Sequence, residues 1–319
     1  MILTLTANPS HDRTVVLSGP LERGAVIRAD AVTSQAGGKG VNISRACVAA
    51  GVPTISVLPA AKDDPFVLEL LTAGIDCRPV HHDGALRVNI TVTEPDGTTT
   101  KLNSPGPQLT DAVRRELGES LRRRAAAADW VVLAGSLPPG TPPAWYAELV
   151  VLLRASGARV AVDTSDEPLR ALVDRLPDSA PHLMKPNGEE LASFTGDDPD
   201  LLEADPLAAA KAARALVESG VETVLATLGA RGAVLVTADG AWSAEPVPVE
   251  VVSTVGAGDS SLFGYLLGEL RGRRPQERLA LAVAYGSAAA GLPGTTIPQP
   301  HQVRPELVPV RDLDITQGG

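Results

Sequence analysis

Short apolar runs alternate with longer segments of helical period along most of the chain. Residues 2–6, 54–58, 130–134, 159–163, 182–185 and 223–227 are dense in apolar and β-branched residues and read as buried strands. Residues 39–50, 110–128, 143–156, 188–195, 206–219 and 257–271 read as helices. Thr110-Asp111 and Ser165-Asp166 are N-cap signals, and Gly51, Gly157 and Gly220 stand where C′ glycines end a helix. This alternation predicts an α/β fold with a mostly parallel sheet covered by helices on both faces.

Two stretches, 13–35 and 85–103, read as β without an intervening helix. Residues 87–93 alternate polar and apolar, Pro95-Asp96-Gly97 marks a turn, and residues 98–102 are expected to return antiparallel. The two insertions are expected to form one small sheet, a lid beside a single domain spanning residues 1–319. After Gly291, Pro293, Pro298, Pro300, Pro305 and Pro309 predict an extended tail, 292–319, packed on that domain.

Composition narrows the picture. Aromatic residues make up only 3% of the 319, so the core must be built from Ala, Val and Leu. The net charge of −10 gives no general attraction for nucleic acid or an anionic membrane. An anionic substrate therefore needs local cations. Cys47 and Cys77 cannot build a disulfide framework, and the five histidines lack zinc-site spacing. The N-terminus lacks the basic start and apolar stretch of a signal peptide, and no apolar run reaches the roughly 18 residues of a membrane span. The expected compartment is the cytoplasm.

Candidate chemistry gathers at two glycine motifs. In Val255-Gly256-Ala257-Gly258-Asp259, glycines precede an apolar helix, so backbone N–H groups there form an anion site. A carboxylate at Asp259 can accept a proton from an attacking hydroxyl. A glycine turn with a helix-capping Asp would look the same. Gly37-Gly38-Lys39-Gly40-Val41-Asn42 also opens a helix, with a point charge at Lys39 and an amide at Asn42.

Together these motifs resemble the two signatures of the PfkB (ribokinase-like) carbohydrate kinase family. Thr6-Ala7-Asn8-Pro9-Ser10-His11-Asp12, Gly135-Ser136-Leu137-Pro138-Pro139-Gly140, Lys185-Pro186-Asn187-Gly188-Glu189-Glu190-Leu191 and Thr227-Leu228-Gly229-Ala230-Arg231-Gly232 resemble its sugar-phosphate branch, in the family's order. The resemblance implies a three-layer αβα sandwich with a small β lid, and ATP-dependent phosphorylation of a ketohexose monophosphate. Fructose 1-phosphate, giving fructose 1,6-bisphosphate, stands ahead of fructose 6-phosphate and tagatose 6-phosphate. A sugar-phosphate sensor that kept the fold is the alternative of a different class.

By position, the resemblance makes Asp259 the catalytic base and Gly256, Ala257 and Gly258 the anion hole. It assigns the sugar phosphate to Asp12, Arg28, Gly38, Lys39, Asn42, Arg87, Asn89 and Ser136. ATP falls to Lys185, Asn187, Thr227, Gly229, Gly232 and Gly258, with Glu190 holding magnesium through water. The apolar faces of the lid strands, such as Val88-Ile90-Val92 or Val26 with Val32, need cover, so a homodimer joined through the lids is expected. Ser253-Thr254-Val255 replaces the Asp-Thr many relatives carry before the glycines, which bears on any monovalent-cation site.

Overall fold

The structure is a computed structural model and describes residues 1–315. The first half of the chain forms β1 (Ile2–Thr6), β2 (Ser10–Leu17), β3 (Ala29–Gly37), α1 (Lys39–Ala49), β4 (Thr54–Pro59), α2 (Pro65–Thr72), β5 (Asp76–Val80), β6 (Arg87–Thr93) and β7 (Thr99–Asn103). It continues through α3 (Asp111–Ala125), β8 (Trp130–Ala134), α4 (Trp145–Arg154), β9 (Arg159–Asp163), α5 (Asp166–Val173) and β10 (Leu183–Met184). Then come α6 (Gly188–Thr195), α7 (Pro199–Ala204), α8 (Pro206–Glu218), β11 (Thr223–Thr227), β12 (Ala233–Thr237) and β13 (Gly240–Ala244). Last are α9 (Ala257–Leu270), α10 (Pro275–Ala290) and β14 (Val310–Asp312).

The large sheet has the order β14-β13-β12-β11-β10-β9-β8-β1-β4-β5. Strands β11 through β5 run parallel, and β12, β13 and β14 add an antiparallel edge. Along β8, Val131 and Leu133 pack into the layer containing α3, α4 and α8, while Trp130, Val132 and Ala134 pack against α1, α9 and α10. The period of two thus feeds both faces of a three-layer α/β sandwich, the predicted fold class.

The second sheet has the order β3-β2-β6-β7. Strand registers put Ser10, Asp12, Arg87, Asn89 and Asn103 on one face, which turns to the large sheet's strand ends. Val15, Val32, Val88, Ile90, Val92 and Leu102 fall on the other face. Residues 18–28, inside the first insertion, form an irregular loop rather than strand.

Several elements differ from the sequence expectations. The strand expected over 182–185 narrows to two residues, although His182 and Lys185 continue its backbone bonds to β9. Helix α10 has no clear sequence signature, because its Ala-rich run is buried on most sides and so carries little amphipathic contrast. The hairpin β12–β13, turning at Ala238-Asp239, is a further element beyond the sequence expectations. The tail is not simply extended: it makes two short 3₁₀ turns, buries Val303 and Val308, and pairs β14 with β13. Its last residues, 316–319, lie outside the described residues.

Helices α9 and α10 pack closely, and a Cβ added at Gly264 would lie 2.5 Å from the Leu281 carbonyl oxygen. Gly264→Val should therefore cost about 1–3 kcal/mol in urea unfolding. A variant as stable as the parent would show that α10 yields there.

Candidate active site

From β1 the sheet grows outward to β4 and β5, and from β8 it grows the other way to β9, β10 and β11. Thr6 and Ala134, the last residues of β1 and β8, face each other in register. The loops part above this pair, the place where open α/β sheets bind ligands. A cavity of about 470 Å³ lies there. Its floor is made by Thr6, Ala134, Gly135, Ser136, Lys185, Asn187 and Thr227 at the strand ends. Helix starts supply Gly38, Lys39 and Asn42 from α1, Glu190 from α6, and Gly256, Gly258 and Asp259 around α9. The polar face of the small sheet forms the opposite wall.

Asp259 stands in the first turn of α9 and is only 6% exposed. Asn42 Nδ2 donates to its Oδ2 at 2.8 Å across 217 residues of sequence. Burial first, and then the charge of Asp163, push its carboxyl up to about 6, against the pull of Lys39, Asn42 and Lys185. Gly256 caps the helix in the left-handed region, with φ 79°. Among the described residues, the N–H groups of Gly256, Gly258 and Asp259 find no acceptor, whereas that of Ala257 donates to the Thr254 carbonyl oxygen at 3.3 Å. Three free donors at a helix start make an anion site.

Asp163, at the end of β9, joins the two lysines of the cleft. Its Oδ1 accepts from Lys39 Nζ at 2.7 Å, and its Oδ2 lies 3.3 Å from Lys185 Nζ. Burial alone would raise the Asp163 carboxyl, but Lys185 and Lys39 hold it below its ordinary value. Lys39 answers in kind: burial works against its charge, and Asp163 and Asp259 outweigh that and raise it.

Asn187 and Glu190 close a capping box at α6. Asn187 Oδ1 accepts from the Glu190 N–H at 2.7 Å, and Glu190 Oε2 accepts from the Asn187 N–H at 2.9 Å. Burial, with the charge of Asp163 added, raises the Glu190 carboxyl. Its Oε1 makes no hydrogen bond among the described residues. On the small sheet, Asp12 Oδ1 accepts from Ser10 Oγ at 2.7 Å and from Asn89 Nδ2 at 3.0 Å.

The family model described as pfkB family carbohydrate kinase matches residues 6–302. The chain belongs to this family of carbohydrate kinases. It is 39% identical over 305 residues to the 1-phosphofructokinase of Haloferax volcanii, covering 95% of each chain. It is 34% identical to the 1-phosphofructokinase of Escherichia coli K12 over 294 residues, 90% of each. Its fold superposes on phosphofructokinase-2 of Escherichia coli with TM-score 0.86 and 29% identity, covering 94% of this chain and 96% of that one. Sugar kinases of this family use ATP, generally with Mg²⁺.

Within this kinase fold, most residues singled out from sequence reach one cleft: Asp12, Gly38, Lys39, Asn42, Arg87, Asn89, Ser136, Lys185, Asn187, Glu190, Thr227, Gly256, Gly258 and Asp259. Arg28, Gly229, Gly232 and Ala257 do not line it. Arg28 ends the irregular loop before β3. Gly232 has a packing reason of its own, since a Cβ there would lie 2.0 Å from the Ala244 carbonyl oxygen of β13. Arg87 faces the cleft, but part of its guanidinium is spent on the Asn8 and Ser104 carbonyls. Sequence reasoning missed Asn8, Ser10 and Thr295 as wall residues, and it missed Asp163, which is buried behind the wall on Lys39 and Lys185. Asp163 had a signal: a carboxylate closing an otherwise apolar strand points to the strand-end cleft.

The kinase's cleft carries a stability cost that can be measured. A carboxyl whose folded pKa lies above its unfolded value binds its proton more tightly when folded. Stability from Asp259 is thus present below about pH 4 and lost as pH rises through about 6. Asp259→Asn removes the charge and keeps an oxygen for Asn42. The variant should be more stable than the parent at pH 8, by on the order of 2 kcal/mol, with the gain vanishing near pH 4. Equal thermal unfolding curves at both pH values would overturn this.

Proposed function

We propose that this protein transfers the γ-phosphoryl group of ATP to fructose 1-phosphate, giving fructose 1,6-bisphosphate. The observation that carries the reading is the Asp259 carboxylate, buried beside three unpartnered N–H donors and held by Asn42. In this reading Asp259 accepts the proton of the sugar hydroxyl as its oxygen bonds to the γ-phosphorus and the bond to ADP breaks. The N–H groups of Gly256, Gly258 and Asp259 stabilise the charge spreading over the phosphoryl oxygens. Lys39 and Lys185 add positive charge on either side of Asp163. Three buried oxygens around the cleft, Thr6 Oγ1, Asn42 Oδ1 and Asn89 Oδ1, find no donor among the described residues, which suits a ligand rich in hydroxyls.

Among the described residues no group of three His, Cys, Asp or Glu side chains could hold a metal by itself. Magnesium arriving on the ATP phosphates suits this cleft, with Glu190 Oε1 and Asn187 left to hold it through water. When bound it would neutralise phosphate charge. The small sheet is read as a lid that shields the transfer from water. A cytoplasmic setting belongs to the same reading, and no helix among the described residues is long and apolar enough to cross a membrane.

Fructose 1-phosphate rests on the likeness to proteins named 1-phosphofructokinase. The likeness to phosphofructokinase-2, whose structures include one in complex with fructose 6-phosphate, favours that sugar as the second reading. Steady-state turnover of ATP with fructose 1-phosphate, fructose 6-phosphate, tagatose 6-phosphate and free fructose decides between them. The highest kcat/KM should fall to fructose 1-phosphate. Turnover with none of them would leave the sensor alternative. Asp259→Asn should lose about 10²–10⁴-fold in kcat while staying folded, and parent kcat/KM should fall as pH drops below about 6.

The apolar outer face of the small sheet, with Val32 61% and Leu102 58% exposed, fits a second copy of this sheet. The nearby Val26, in the irregular loop, is 94% exposed. A homodimer through the two lids should appear in sedimentation at micromolar concentration, and Val32→Glu should dissociate it. A monomeric parent would remove the dimer and leave the chemistry standing.

A further inference from the structure

The chain crosses between the two sheets four times, and two of these crossings are tied together by one cluster. Residues 7–9 carry the chain out from β1 to β2, and residues 104–110 bring it back from β7 to α3. Arg87, at the root of β6, sits on both. Its Nε donates to the Asn8 carbonyl oxygen at 3.1 Å, and its Nη1 donates to the Ser104 carbonyl oxygen at 3.4 Å. The Asn8 side chain spans the same gap. Its Nδ2 donates to the Pro105 carbonyl oxygen at 3.0 Å and reaches Ser136 Oγ at 3.4 Å. Asn8 is only 5% exposed, so these bonds are sheltered from competing water. The returning segment is drawn down onto it: Gly106 has φ +92°, and a Cβ there would lie 2.2 Å from Asn8 Oδ1.

The third arm of the guanidinium, Nη2, makes no hydrogen bond among the described residues, and Arg87 lines the cleft. An arginine seated on two fixed carbonyls has already lost most of its rotamer freedom, so less is lost when it meets an anion. That advantage lasts only while the two crossings keep their spacing. We propose that Asn8 is a positioning residue: its amide ties the returning crossing to the outgoing one and so holds Arg87 at the cleft for a substrate phosphate. This rests on the sugar-phosphate reading above, which supplies the phosphate.

The test is a double-mutant cycle of Asn8→Ala and Arg87→Ala, read with the sugar phosphate the parent turns over and with free fructose. Loss of a sheltered hydrogen bond to the crossing should raise KM for the sugar phosphate about tenfold, with kcat changed less than about threefold. Free fructose should be affected less than about threefold. The double variant should be no more than about twofold worse than Arg87→Ala alone, because the two residues act through one geometry. Independent, multiplying effects, or equal losses with both sugars, would overturn the proposal. Hydrogen exchange on the free enzyme reads the same tie without turnover. Amides of β6 and β7 should exchange faster in Asn8→Ala while those of β8 and β9 hold, and unchanged exchange in β6 and β7 would overturn the tie. If Asn8→Ala does not fold, Asn8→Ser, whose hydroxyl is too short to span the gap, is read in the same way. A parent that turns over no sugar phosphate would instead sink the function reading, and exchange would still decide the tie.

Discussion

Asp163 is the point on which the cleft's electrostatics turn. A fully buried carboxylate is costly unless it is paired. Here two ammonium groups from distant parts of the chain, Lys39 and Lys185, meet it. The pairing has consequences on all sides. It keeps Lys39 charged inside the fold, and it places a second negative charge near Asp259, which raises that carboxyl. The two carboxylates and two lysines thus form one set, in which each group's protonation depends on the others. A phosphate-bearing ligand entering this set would meet cations that are already in place.

The set can exist because of where the sheet divides. Thr6 and Ala134 end adjacent parallel strands whose onward connections run in opposite directions. The gap that results collects side chains from the ends of β1, β8, β10 and β11, and α1, α6 and α9 begin around it. Helix starts bring unpaired N–H groups, and strand ends bring Asp163, Lys185 and Thr227. The close approach of α9 to α10 at Gly264 then fixes where Asp259 stands.

The small sheet divides its labour between its two faces. Its polar face completes the cleft with Asp12, Arg87 and Asn89, and its apolar face leaves Val32 and Leu102 exposed. Period-two alternation imposes this division, since neighbouring residues on a strand must point to opposite sides. The sheet is joined to the main body through its crossings and at α2, where the Ala36 N–H donates to Glu69 and His11 packs against Phe66. Asn8 and Arg87 are therefore placed to govern how far it stands from Asp259.

The sequence by itself determined the alternating strands and helices, the fold class, and the two glycine-rich helix starts. These are local: periodicity, cap residues and short motifs follow from the chemistry of neighbouring positions. It also marked Asp259, Lys39, Asn42, Asn187 and Glu190, because each lies inside a motif. Only the tertiary structure decided what depends on distant partners. The Ala-rich α10, buried on most sides, has too little polar contrast to announce itself. Asp163 looks like the end of an ordinary strand until Lys39 and Lys185 fold onto it, 124 residues away in the first case. Asn42 gains its hold on Asp259 the same way. Gly232 stands inside a motif, yet the β13 backbone already accounts for it. Arg87 could be marked as a cleft cation from its strand, but that it rests on Asn8 and Ser104 is set by how two crossings pack. Hydrogen bonds and charge pairs between residues far apart in sequence leave no local pattern, and the cleft's electrostatics are made of them.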